Sequence, residues 1–121
     1  MRKIKFLILM MTIFISACSA TQGSFSCLDK DKHFPSLPDN SKIDVYNSGV
    51  PDRPFIKVAR LDAHLEKTHF VGSSLKNALP ELEMQARHSG SNAIIDINEH
   101  TSMLGETRIY HVTAIGIRYS D

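Results

Sequence analysis

Tryptophan is absent from these 121 residues, and cysteine occurs twice, at Cys18 and Cys27. Two cysteines cannot build the multi-bridge framework that staples small secreted domains, so the fold must rest on packing. A cationic surplus is missing too. The formal net charge of +1 comes from the first residues: without Arg2, Lys3 and Lys5 the chain holds eleven basic and thirteen acidic residues. That balance excludes a nucleic-acid binder, which needs a clustered basic face, and a polybasic clamp on anionic lipid. No apolar run is long enough to span a bilayer. The longest uncharged stretch, Phe6–Ala17, covers roughly 18 Å as a helix against a hydrocarbon core of ~30 Å.

What is present begins with an address. A short cationic start (Arg2, Lys3, Lys5) precedes that apolar run, and Ser16 and Ala17 put small side chains before Cys18. This is the layout of a cleaved signal peptide over residues 1–17. Ile15-Ser16-Ala17-Cys18 resembles the bacterial lipobox, which implies that Cys18 becomes the lipidated N-terminus of the mature chain. Several acyl chains at ~0.8 kcal/mol per buried methylene make such anchoring effectively permanent. An ordinary secretory signal with an incidental cysteine is the competing reading. Ser19 after the cysteine resembles the outer-membrane sorting pattern of enteric bacteria, with the inner membrane second. A thioether at Cys18 leaves Cys27 as an unpaired thiol.

Residues 18–41 hold Gly23, Pro35, Pro38, several serines and the run Asp29-Lys30-Asp31-Lys32, without sustained period. This is the composition of a flexible linker, and about 23 such residues average 25–30 Å end to end as a coil. A small domain then occupies residues 42–121. Alternation predicts a strand at Lys42–Tyr46, and another from Phe55 to about Thr68 with Ala59, Leu61, Ala63 and Leu65 on one face. The phase slip around Lys57–Ala59 predicts a β-bulge. A helix follows, and Pro80 favours Asn77 over Ser74 as its N-cap, because a start at Ser74 buries the proline mid-helix at ~3 kcal/mol. Ala78, Leu79, Leu82 and Ala86 form its apolar stripe, and Gly90 stops it. Strands at Asn92–His100 and Thr107–Tyr119 complete an α+β, two-layer fold. One helix packs on a four-stranded, mostly antiparallel sheet in the order β-β-α-β-β. Ile94, Val112 and Ala114 are expected on the face away from the helix, where either another envelope protein or a second copy covers them or the patch is small enough to stay wet.

Chemical motifs are sparse. There is no phosphate loop, no Gly-x-Ser-x-Gly elbow and no Cys-x-x-Cys to complete the His64-Leu65-Glu66 start of a zinc-deaminase motif. No catalytic residue is assigned, and no cofactor beyond the covalent lipid on Cys18. The six histidines are the unusual count. His64 and Glu66 share a strand face, and Asp96, Asn98 and His100 share another. If the faces coincide and the strands are neighbours, His64, Glu66 and His100 would approach a metal cluster; a solvated strand face is the alternative. His88 suits a helix C-terminus, and His111 reads as a half-buried, hydrogen-bonded residue.

The run Ala86-Arg87-His88-Ser89-Gly90-Ser91-Asn92-Ala93-Ile94-Ile95 resembles the helix-to-strand signature of YbjQ-like domains. Lipobox, proline-containing tether and β-β-α-β-β core together are similar to RcsF outer-membrane stress-sensor lipoproteins. RcsF-type cores carry disulfides, and no cysteine follows Cys27 here, so the resemblance implies no redox role and transfers no site residue. The heavy-metal label of the YbjQ-like group reaches only the histidines. The resulting expectation is a non-enzymatic lipoprotein of the outer membrane, facing the periplasm. It is held to the membrane by its lipid, binds an envelope protein or itself, binds no nucleic acid, and serves envelope-stress sensing or signalling; a periplasmic metal-binding module is the alternative.

Overall fold

A computed structural model describes residues 21–68, 74–105 and 107–121. The elements are β1 (Thr21–Cys27), β2 (Asp44–Val45), β3 (Phe55–Thr68), α1 (Leu75–Ser89), β4 (Ala93–Leu104) and β5 (Thr107–Tyr119). They form an α+β fold whose five strands lie in the order β1-β3-β5-β4-β2. The expected four-stranded, mostly antiparallel sheet is corrected to a five-stranded mixed one. Thr21–Cys27, inside the stretch read as a tether, is a strand antiparallel to β3. Asp44–Val45 pairs with β4 in parallel, which makes the sheet mixed.

The reason β1 folds lies in what faces inward. Gly23, Phe25 and Cys27 stand opposite Ala63, Leu61 and Ala59, so one aromatic and two small residues fit beside the helix. The following chain is pinned as well. Phe34 and Leu37 pack on the core, the Leu37 N–H donates to the Arg87 carbonyl at 2.8 Å, and Arg87 Nε donates to the Ser41 carbonyl at 2.8 Å.

The β3–β5 register sets the core. Ala59, Leu61, Ala63 and Leu65 meet Gly116, Ala114, Val112 and Tyr110 on the face that carries α1. The register slips between Lys57 and Ala59, at the predicted bulge. A second bulge between Ile95 and Asn98, with Asp96 at φ 53°, went unanticipated. It brings Ile97 to the helix side beside Ile94, while Ala93 and Ile95 face the other way. Val112 and Ala114 stand opposite Ala63 and Leu61 on the helix face, so Ile94, Val112 and Ala114 belong to the helix-side core, not to the far face. The far face has its own small cluster of Ala93, Ile95 and Ile117, covered by Tyr46, Phe55, Ile115 and Tyr119.

The helix starts at Ser74, three residues before the expected cap. Asn77 Oδ1 accepts from the Ser74 N–H at 3.2 Å and from its hydroxyl at 3.0 Å, a reciprocal cap that outweighs the proline. Pro80 forfeits only the bond to the Lys76 carbonyl, on an exposed side open to water. Buried Ala78, Leu82, Gln85 and Ala86 face the sheet, and Gly90 ends the helix at φ 81°, a left-handed conformation that glycine adopts without a Cβ penalty.

Candidate functional site

Because β3, β5 and β4 are adjacent and in register, the face opposite α1 carries ordered rows of side chains. One row is His64, His111 and His100, each directly opposite the next on neighbouring strands. The adjoining row is Asp62, Thr113 and Asn98. Strand spacing of ~4.8 Å puts the outer two histidines about 10 Å apart at Cα, with His111 between them. The His64 and His111 rings stand edge to face, 6.4 Å between centroids. His111 Nε2 lies 2.7 Å from Asp62 Oδ1, with both side chains about two-fifths exposed. A carboxylate on one ring nitrogen fixes the imidazole's orientation and leaves the other nitrogen for a ligand.

Beside these rows the Asn47–Gly49 loop and the Asp96 bulge border an open cleft of about 540 Å³, floored by Arg60, Asn98, Thr113 and Ile115. Its walls offer amide, hydroxyl and guanidinium groups, suited to polar recognition of a surface rather than to enclosing an apolar ligand.

Behind the sheet, the Tyr110 hydroxyl donates to Glu99 on the helix side. Burial first, and that hydrogen bond second, push its phenol well above the usual range. At the far end of β5, Tyr119 donates to Asp44 at 2.8 Å and shares a hydrogen bond of 2.8 Å with Tyr46. Its phenol is also raised, by burial and then by these bonds. Both tyrosines thus serve as neutral clasps between strands.

The residues singled out from the sequence separate in space. Cys18 lies outside the described residues. Cys27 is a half-buried free thiol at the end of β1, its Sγ 3.9 Å from His33 Nδ1. His64 and His100 share the open face, but β5 stands between their strands, so the expected direct approach does not occur. Glu66 is exposed and sits one row away, opposite Ile109, and Asp96 is taken up by the bulge. His111 is the residue that joins the row, and the alternation Ile109, His111, Thr113 along β5 was the signal for it. Among the described residues, no three histidine, cysteine, aspartate or glutamate side chains already stand in a metal-holding arrangement. No described helix is long and apolar enough to cross a membrane. No family model, curated protein or solved structure matches this chain.

Proposed function

We propose that the chain is a lipid-anchored lipoprotein of the bacterial outer membrane, facing the periplasm. Its domain is a non-enzymatic module that binds another envelope protein. The observation that carries this reading is the sheet itself: α1 takes one face, and the other presents half-exposed polar rows beside an open polar cleft. A role in envelope-stress sensing or signalling follows from the YbjQ-like and RcsF-like resemblance of the 86–95 run and of the lipobox-first layout.

Two variants test it. Cys18→Ala should move the protein from the membrane to the soluble periplasmic fraction; retention in the membrane contradicts the anchor. A photo-crosslinker at exposed Asn98, in the cleft, should give a discrete adduct with one envelope protein in intact cells. Absence of any adduct there counts against the binding module.

The row His64–His111–His100 favours a second reading, a periplasmic module for a divalent transition metal. Imidazoles on three adjacent strands offer three nitrogen ligands on a rigid backbone, and Asp62 orients the central ring. Side-chain torsions alone would have to close the site. Titration of the full chain in detergent with Zn²⁺ should then give a saturable heat at micromolar metal. Replacing His100 by Ala should weaken binding by more than the roughly 10–100-fold that loss of an outer-shell partner alone costs; no heat, or an unchanged affinity, removes this reading.

A further inference from the structure

Met103 and Leu104, at the end of β4, are 55% and 72% exposed. Isolated exposed apolar residues are ordinary on protein surfaces, and Leu28, Val50 and Met84 are such cases. Met103 and Leu104 differ by being adjacent and by their place in the sheet. β1 begins at Thr21, in register with Leu65, and runs antiparallel to β3. The start of β1 therefore lies toward the end of the sheet at which β3 finishes. At that end Thr68 pairs with Thr107, and Thr107 pairs with Leu104.

The distances match. Cys18 lies three residues before Thr21, a span that reaches at most about 10–11 Å. The tip at Leu104 lies three residues beyond the Leu65 level, about 10 Å along the strands. Across the sheet, β1 and β4 are separated by β3 and β5, roughly 15 Å in all. An acylated Cys18 thus has no slack with which to hold the sheet clear of the bilayer. The side chains at this end suit the contact. Arg108 is directly opposite Met103, which places a cation beside an apolar tip, as at an interface with anionic headgroups. The acids of the adjoining sequence are Glu66 and Glu106.

We propose that the β4–β5 hairpin tip, through Met103 and Leu104, rests in the interfacial region of the bilayer that holds the Cys18 lipid. This rests on the lipoprotein reading of Cys18 and adds to it a fixed orientation: the sheet stands on the membrane by its Leu104 end. The opposite end, where β3 begins at Phe55, then lies some 40–45 Å away, the length of β3. Val50 follows the Asn47–Gly49 loop at the cleft beside Asn98, six residues or about 20 Å from Leu104 along β4.

The chain contains no tryptophan, so a single introduced indole reports its own surroundings. The full lipidated chain carrying Leu104→Trp, and separately Val50→Trp, is reconstituted in phosphatidylethanolamine–phosphatidylglycerol vesicles and floated. Brominated acyl chains are then used as quencher. Both sites are exposed, so neither substitution disturbs the core. The expected result is co-flotation of both variants, with blue-shifted emission and several-fold stronger quenching at position 104 only. Co-flotation with equally weak quenching at both positions overturns the docking and leaves the anchor standing. A blue shift at 104 without bromine quenching means a protein surface covers the tip, and overturns it too. Failure of the chain to float removes the anchor and the docking together.

Discussion

Leu82→Ala lowers the unfolding free energy by about 2–5 kcal/mol, in the upper part of that range. Leu82 has no exposed surface and is the one large helix side chain in the fully buried set. Its helical neighbours on the buried stripe, Ala78 and Ala86, are small. Removing it therefore strips most of the apolar contact by which α1 holds the sheet. The cluster it joins contains Leu61, Leu65, Ile94 and Val112, all on strands locked by the β3–β5–β4 ladders. Those strands cannot move in to fill the space, and an uncollapsed cavity is what drives the cost toward its upper limit. A domain of this size has about 5–15 kcal/mol in total, so the variant sits near its threshold. Urea unfolding measures it as a lowered midpoint at unchanged slope; a loss below about 1 kcal/mol contradicts the packing described.

Gly23→Val should be the next most damaging change, and its effect is local to β1. A Cβ at Gly23 would collide with the Asp62 carbonyl and come to 2.5 Å from Gln85 Nε2. Neither can yield. Gln85 is buried, and its amide accepts from the Asp62 N–H at 3.0 Å and donates to the Asp62 carbonyl at 2.7 Å, with a further bond to Glu81 at 3.0 Å. Breaking that clamp leaves buried backbone groups without partners, and keeping it expels the strand. A loss on the order of 1–3 kcal/mol follows from overpacking of this kind. Peptides covering β1 should lose amide protection while β3 and β5 keep theirs. A variant with native stability would mean that β1 does not lie against Gln85.

The clear period-two alternation of β3, its bulge near Lys57 and the glycine stop at Gly90 were legible because each is a local pattern with a local cause. β1 was not. Thr21–Cys27 has a single large apolar residue, Phe25, and its small inward positions are dictated by Gln85 and the helix, which no window of the sequence contains. The helix starts earlier than the proline alone predicts because the Ser74–Asn77 cap offsets the penalty of Pro80. On the open face, alternation puts His64 and His100 each on a polar strand face but does not say whether the two faces coincide. The strand order was unknowable from alternation, so β5 and its His111 were left out of the row. The Asp96 bulge likewise turned Ile97 to the helix side, and the pairing of Val112 and Ala114 with Ala63 and Leu61 put these expected far-face residues in the helix-side core.

The orientation at the membrane and the rigidity of the module both depend on Thr21–Cys27 being strand rather than slack chain. Amide hydrogen exchange on the full lipidated protein reads this directly. Protected amides through 21–27, slowing together with those of β3, are the predicted result. Exchange of this segment at the rate of an unstructured linker, with β3 still protected, would contradict the account.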